Sequence, residues 1–305
     1  QLNAQLRGRL DVPGAGRLGM LARYLYQNRG GYVGKIDTLD HGSDLALHLV
    51  QAVLDHDIQP LGWLGLHSRV TFDLRLVDHA FQVLPSNSDN PYQTEDEGSP
   101  LSLDEGLRES IAYRSMVLGA EIDSRFRLSD HNLLTWGVAF AYTGLPQVTL
   151  ERDTGKVSCG ADESLLVRGF DLACGSQDGG AAGHDRIRLG SYLQDRWEDL
   201  LPDLDLVTGV RVSWMSDVGL ALAPRGAVIF RLVDGLWLRM QYGRAYRAPT
   251  MMELYADAGF DPLAGVQGND ALGPVVADTV EASVEAHLGT RPVDLDLRGV
   301  VFAEW

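Results

Sequence analysis

The sequence lacks the features of a disulfide scaffold and of a helical membrane protein. Its 305 residues include two cysteines, Cys159 and Cys174. Two are too few for a disulfide framework, and their spacing is not that of the cysteine pairs in a structural zinc site. No apolar run approaches the roughly 18 residues that a membrane-spanning helix needs, because charged or polar residues interrupt every one. These absences exclude both classes.

Basic residues are also scarce. The chain has 42 acidic and 26 basic residues and a formal net charge of -16. No cluster of Lys and Arg with interleaved aromatics occurs along the sequence, so nucleic acid is not expected as a partner. The Gly-x-Ser-x-Gly motif of serine hydrolases is absent as well, and no other catalytic set can be recognised from the sequence.

What the sequence does contain is a hydrophobic period of two, the pattern of β-strands with one apolar and one polar face. Residues 62–79 illustrate it. The apolar positions are Leu64, Leu66, Val70, Phe72, Leu74 and Leu76. The intervening polar positions are His67, Arg69, Thr71, Asp73 and Arg75. The same division recurs in at least four later segments, which predicts an all-β fold.

The lengths of the connections distinguish between the all-β folds. We predict strands near residues 2–11, 17–28, 44–54, 62–78, 111–127, 133–142, 188–197, 204–213, 223–231, 236–244, 279–288 and 293–303. The links between them alternate between short and long. The long ones are 29–43, 79–110, 143–187, 214–222 and 245–278. A soluble sandwich would show the same strand pattern, but alternating links are typical of outer-membrane barrels, which have short periplasmic turns and longer extracellular loops.

A family resemblance is found in the last third of the chain. From Tyr242 to Tyr255 the sequence reads Tyr-Gly-Arg-Ala-Tyr-Arg-Ala-Pro-Thr-Met-Met-Glu-Leu-Tyr. This resembles the segment of TonB-dependent outer-membrane receptors in which an aromatic-Arg-Ala-Pro core precedes Glu-Leu. Residues 224–230 are similar to the family's Pro-Arg strand, and 189–197 to its Tyr-x-Gln-Asp-x-Trp strand. Gly-Asn-Asp-Ala-Leu at 268–272 resembles the family's Gly-Asn-x-x-Leu, which normally continues Lys-Pro-Glu. Here residues 273–275 are Gly-Pro-Val, which keep the proline and lack the acidic residue.

The resemblance covers about Leu189 to Trp305 and implies a function. Such receptors bind scarce nutrients, most often ferric siderophores, haem or cobalamin, and import them with energy passed through TonB to a plug inside a barrel of about 22 strands. We therefore expect residues 1–305 to be a partial, antiparallel transmembrane β-barrel of about a dozen strands in the bacterial outer membrane. The plug and the TonB box are not recognisable, and Trp305 is interpreted as a truncation.

The expected partners follow from the same resemblance. They are outer-membrane lipid, the TonB complex, which would act through the plug, and a small-molecule ligand such as a metal chelate. No cofactor is expected. Two alternatives stay open at this point, a passive porin and a barrel-embedded enzyme.

Candidate site residues are few. Cys159 and Cys174 fall in the long connection 143–187, which the alternation places outside the cell, where thiols are oxidised. A disulfide there would close a loop of about 15 residues and contribute about 3 kcal/mol in the chain-entropy model. Arg244 and Arg247 would lie near the outer mouth and are candidates for binding an anionic chelate, although their stretch also reads as a plain strand end.

Two other features of the sequence are not interpreted as binding sites. Four Asp-His pairs occur, and they are Asp40-His41, Asp55-His56, Asp78-His79 and Asp130-His131. Although His with carboxylate can bind divalent metals, these pairs fall near predicted strand ends or turns at opposite ends of the barrel, so no metal site is predicted. The acidic segment 89–97 is interpreted as a solvated loop.

Overall fold

Twelve long antiparallel strands form one sheet in the computed structural model. The structure describes residues 1–30, 43–84, 88–89, 102–103, 107–153, 164–167, 170–173, 175–178, 181–256, 268–290 and 293–305. The strands are β1 (Leu2–Val12), β2 (Gly16–Gly30), β3 (Asp44–Leu61), β4 (Leu64–Leu84), β5 (Leu107–Ser129), β6 (Asn132–Asp153), β7 (Asp185–Leu201), β8 (Leu204–Met215), β9 (Gly219–Val233), β10 (Leu236–Arg247), β11 (Val275–Thr290) and β12 (Val293–Glu304).

The order of the strands in the sheet is their order in the chain, and each strand pairs with the next. Within the described residues β1 and β12 are edge strands, so the barrel is partial and open. A short strand, Gly175–Asp178, adds to β6, and two small hairpins pair Ser88–Asp89 with Ser102–Leu103 and Ser164–Val167 with Phe170–Ala173. The predicted fold, a partial antiparallel β-barrel, is confirmed.

Helix is rare in this structure. Between residues 181 and 256 the chain forms one short helix, α1 (Met251–Tyr255), directly after β10. The described residues contain no helix with the length and hydropathy that crossing a bilayer would require.

The register of the strands places the apolar side chains of neighbouring strands on the same face of the sheet, the apolar face. Phe72 pairs with Leu118, Leu118 with Tyr142, and Tyr142 with Ile187, so that β4 to β7 contribute one continuous row. Side chains on this apolar face stay exposed, for example Ile122 at 51%. A soluble monomer rarely leaves so extended an apolar surface uncovered. The face is suited to contact with lipid.

Aromatic side chains border the apolar face at both ends. Toward the long connections they are Tyr24, Tyr26, Tyr142, Trp214 and Tyr242. Toward the short turns they are Trp63, Phe126, Trp197 and Phe230, of which Trp63 and Phe126 stack with ring centroids 6.3 Å apart. Girdles of this kind flank the lipid-facing band of outer-membrane barrels, where the rings of Tyr and Trp, which are apolar and carry one polar group, favour the interface.

The connections follow the expected alternation with one exception. Tight turns join β1 to β2, β3 to β4, β5 to β6, β7 to β8 and β9 to β10. The link between β8 and β9 was predicted to be long, and this is wrong, because pairing continues to Met215 and Gly219 and leaves a turn of residues 216–218. Gly219 adopts a φ of +87°, which favours glycine, and the turn is tied to β7 by a bond from Ile187 N to Ser216 Oγ.

Three central strands are longer than the alternation predicted. β4, β5 and β6 contain 21, 23 and 22 residues, whereas a tilted strand crosses a bilayer in about 9–11. Since the tight turns are at the other end, the excess length extends the wall toward the long connections.

The apolar face yields a test that uses two neighbouring positions on β5. Leu118 lies on the apolar face and is 43% exposed, whereas Val117 lies on the opposite face across from Asp73. We expect Leu118→Arg to lower the free energy of unfolding from lipid vesicles by about 1 kcal/mol, since it places a charge at the edge of the hydrocarbon, level with the girdle residue Tyr142. Val117→Arg, which would face a carboxylate, should change it far less. Equal losses in urea titrations of the two variants would show that the apolar face does not contact lipid.

Candidate functional site

The second face of the sheet, the polar face, carries most of the charged side chains. One row runs from Asp73 through Val117 and Thr143 to Arg186, on β4 to β7. Arginines predominate among its basic residues. On β4 to β10 they are Arg69, Arg75, Arg125, Arg127, Arg186, Arg188, Arg196, Arg211, Arg225, Arg231, Arg239 and Arg247. In a barrel this face lines the hydrated interior.

Glycines let long side chains lie flat across the polar face. Tyr192 on β7 crosses β6 at Gly137 and donates from its hydroxyl to Asp123 Oδ1 on β5, at 2.6 Å. A Cβ on Gly137 would lie 2.3 Å from the Tyr192 ring, so no larger residue fits without displacing it. The crossing links three strands by one hydrogen bond to a charged acceptor.

Arg225 makes a second crossing of the same kind. It extends from β9 over β8 and donates from Nη2 to Gln194 Oε1 on β7. A Cβ on Gly209, the residue beneath, would lie 3.2 Å from Arg225 Nε. The guanidinium is held by a neutral amide, and its charge is therefore not compensated by this contact.

At the end of the polar face near the long connections, Arg186 joins three parts of the chain. Its Nε lies 2.8 Å from both carboxylate oxygens of Asp217 in the β8–β9 turn, and its Nη2 donates to Pro249 O at 2.8 Å. The pair is largely buried, with side-chain exposures of 14% and 6%. Arg186 thus fastens the segment between β10 and α1 to β7 and to the turn.

The helix α1 begins with a capping box. Glu253 N donates to Thr250 Oγ1 at 3.1 Å, and Thr250 N donates to Glu253 Oε2 at 2.6 Å. Arg247, the last residue of β10, donates to the same carboxylate at 2.9 Å and 3.1 Å. The Arg247 guanidinium, together with the Thr250 backbone bond, lowers the pKa of Glu253 to about 2. A helix of one turn is stabilised here by its cap and by an ion pair.

The helix packs onto the polar face rather than projecting from it. Met252 and Tyr255 contact a cluster formed around the buried side chains of Val148 and Ala181. The ring of Tyr255 also stacks on His184, with centroids 3.8 Å apart and planes 5° apart. The segment that follows β10 therefore covers part of the polar face near the mouth.

This sequence and geometry match a known family. A sequence model described as TonB dependent receptor-like, beta-barrel, matches residues 3–302. The chain belongs to this family. The Arg-Ala-Pro and Glu-Leu elements of the TonB-dependent receptor resemblance are the residues that build the junction of β10 with α1.

Solved structures share the fold. The chain is similar to the ferric enterobactin receptor PfeA of Pseudomonas aeruginosa, with 16% identity, a TM-score of 0.60 and coverage of 97% of this chain and 41% of that one. The ferric citrate transporter FecA is 12% identical with a TM-score of 0.63, and the match covers 99% of this chain and 42% of FecA. The hemophore receptor HasR of Serratia marcescens is 13% identical with a TM-score of 0.63, and the match covers 99% of this chain and 45% of HasR. The chain thus spans less than half the length of these structures. No curated protein matches it in sequence.

The two arginines proposed from the sequence lie on opposite faces of this receptor barrel. Arg244 is on the apolar face, where Asp278 accepts two hydrogen bonds from it at 2.9 Å each and one from Tyr242 at 2.6 Å. Arg247 lies on the polar side, paired with Glu253. The structure does not bring the two together, and their contacts favour structural roles. Ligand binding by either stays a prediction.

Of the other features predicted from the sequence, some lie within the described residues and some lie outside them. Cys159 and Cys174 lie outside the described residues, as do Asp40-His41 and most of the acidic segment 89–97. Asp130-His131 forms the β5–β6 turn as expected.

The placement of two further Asp-His pairs was wrong. Asp55-His56 and Asp78-His79 are inside β3 and β4, which extend beyond their predicted ends, and not at turns. Across the part of the chain that the structure describes, no three His, Cys, Asp or Glu residues cluster so as to hold a metal.

Sequence reasoning missed Arg186 and Asp217. They are 31 positions apart, and the turn that carries Asp217 was predicted as a longer loop. Pro249 lies within the recognised family motif, but nothing in the motif indicates that its carbonyl accepts a bond from another strand.

We predict that Arg186→Leu loosens the mouth of the receptor barrel. The substitution leaves the buried Asp217 carboxylate unpaired and should lower the free energy of unfolding by about 3 kcal/mol. Hydrogen exchange at residues 250–256 should accelerate as well. The matched control is Arg196→Leu on the same strand, whose ion pair with Glu198 is about half exposed and should contribute less than about 1 kcal/mol. Similar losses in both variants would contradict the role of Arg186.

A second prediction concerns pH. The pKa of Glu253 is about 2 in the folded chain against an ordinary value of 4.5, so its charge stabilises the fold above about pH 4.5 and this contribution is lost as the pH falls through 2. Glu253→Gln can keep the capping bonds but not the charge. The difference in melting temperature between parent and variant should be largest above pH 5 and vanish near pH 2. A difference independent of pH would refute the ion pair's contribution.

Proposed function

We propose that this chain is part of an outer-membrane receptor that takes up a scarce nutrient with energy from TonB, and that the nutrient is a metal chelate such as a ferric siderophore. The observation that carries the proposal is the family match over residues 3–302. It agrees with a sheet that has one lipid-compatible face and one face rich in arginine.

The substrate class is supported by the structural neighbours. Their descriptions name a ferric enterobactin receptor, a siderophore receptor, a ferric citrate transporter and a hemophore receptor, although one is a peptide transporter. Barrels of one fold thus serve different ligands, because the ligand is selected by the groups grafted onto the fold. The metal chelate is our proposal for this chain.

The proposed energy coupling needs parts outside this sequence. In the proposal, a plug inside the completed barrel contacts TonB, and its movement opens a path along the polar face. The neighbours are described as receptors and transporters, which favours uptake over the barrel-embedded enzyme.

Uptake measurements distinguish the proposed energised receptor from the alternative, a passive porin. We expect deletion of the gene to abolish accumulation of one radiolabelled chelate among a panel of ferric siderophores, haem and cobalamin, while the remaining members enter normally. Accumulation should also stop when the proton-motive force is collapsed, because the proposed transport is energised. Uptake that continues without the proton-motive force would identify a porin, and unchanged uptake of every member would refute the chelate proposal.

A further inference from the structure

The apolar face has a hollow of its own, between β1 and β4 near the short turns. It is a cavity of about 460 Å³, and we call it the lipid-face hollow. Its walls are the exposed apolar side chains of Leu10, Leu18, Met20, Leu54 and Val70. It is open at Gly8, which has no side chain, and a Cβ there would lie 3.4 Å from Met20 Cε. The hollow is continuous with the surface that contacts lipid.

A histidine places the lipid-face hollow at the level of a short turn. His56 Nε2 lies 2.7 Å from Ala15 O, in the turn that joins β1 to β2. Leu10 and Leu18 pair with each other two residues before the turn closes. Since the short turns of such barrels are periplasmic, the hollow begins at the periplasmic rim and extends toward the middle of the sheet. The lipids that reach it belong to the periplasmic leaflet.

Two polar side chains in the hollow carry a group without a partner. His56 and Ser68 pair with each other across β3 and β4, and both line the hollow. Within the residues that the structure describes, Ser68 Oγ and His56 Nδ1 make no hydrogen bond. Both side chains are half-buried on the lipid side of the sheet, and an unpaired polar group in apolar surroundings is costly. A polar group of a bound lipid can supply the partner that the protein does not.

The bond to Ala15 determines which partner His56 accepts. A carbonyl oxygen only accepts hydrogen bonds, so Nε2 of His56 must carry the proton, and in the neutral ring Nδ1 is then an acceptor. The Ser68 hydroxyl can donate. The pair therefore fits a molecule that presents an N–H donor beside an acceptor oxygen. A phospholipid with a primary ammonium headgroup presents both, since the ammonium donates and its phosphate and ester oxygens accept.

We infer that the lipid-face hollow binds one phospholipid of the periplasmic leaflet whose headgroup is a primary ammonium, of the phosphatidylethanolamine type. An acyl chain lies in the hollow at Gly8, the ammonium donates to His56 Nδ1, and Ser68 donates to a phosphate or ester oxygen. The volume is within the range of about 300–1,000 Å³ that is usual for small-molecule sites. The inference does not depend on which nutrient the receptor takes up.

The test compares two lipids that differ only in the headgroup. The full-length gene product in detergent is mixed with phosphatidylethanolamine or with phosphatidylcholine of the same acyl chains, and native mass spectrometry measures the bound lipid. Choline carries methyl groups in place of N–H donors and cannot bond His56 Nδ1. We expect phosphatidylethanolamine to bind about tenfold more tightly, which corresponds to one hydrogen bond from a charged donor. Equal affinity for the two lipids would overturn the inference.

Substitutions separate the headgroup from the acyl chain. His56→Phe should weaken the binding of phosphatidylethanolamine about tenfold and leave that of phosphatidylcholine unchanged. Ser68→Ala should weaken both lipids, because both have phosphate and ester oxygens. Gly8→Leu fills the hollow and should also weaken both. All three variants place an apolar side chain on a lipid-facing surface, so they should fold, which heat-modifiable migration on gels checks.

The matched control is His48→Phe. His48 lies on the same face of β3 but toward the long connections, where it bonds Tyr24, and its replacement should leave both affinities unchanged. Unchanged binding of phosphatidylethanolamine in the three hollow variants would overturn the inference, and so would an equal loss in the control. A protein dimer that forms without lipid and dissociates in Gly8→Leu would overturn it too, because a second copy would then cover the hollow.

Discussion

The structure depends on the antiparallel hydrogen-bond ladder between neighbouring strands. In hydrocarbon no water is available to satisfy a backbone N–H or C=O, so a chain that crosses it as strands must pair each strand on both sides. Strands β2 to β11 meet this requirement, and β1 and β12 meet it on one side within the described residues. Because the ladder fixes the register, it also fixes which side chains face lipid and which face the interior.

Because the ladder uses only backbone groups, the contacts on the polar face are made by side chains. Tyr192 and Arg225 each reach across a neighbouring strand at a glycine, and Arg186 reaches beyond the end of its strand to a turn and to the α1 segment. These contacts add connections between strands that are not adjacent. They are concentrated between β5 and α1, which is also where the family motif lies.

The faces could be predicted from sequence because period two is a local property. Strand lengths could not, since a strand beyond the membrane no longer needs an apolar face and the alternation fades. Arg244 and Arg247 show that the sequence alone can assign residues of one strand to the two faces of the sheet. They are three residues apart on one strand, and an odd separation puts two side chains on opposite faces. The contacts of Arg186 with Asp217 and Pro249 were beyond reach, because they combine single residues of β7, the β8–β9 turn and the segment after β10, whose alignment depends on the register.

The glycine crossings have a consequence for the space above the polar face. A tyrosine or arginine that stands upright on a strand projects from the polar face by its full length. Laid flat over Gly137 or Gly209, the same side chain projects only by its thickness. The polar face therefore carries long polar side chains and leaves the space above it open, and an alanine at Gly137 would displace the Tyr192 ring, which lies 2.3 Å from the position of its Cβ.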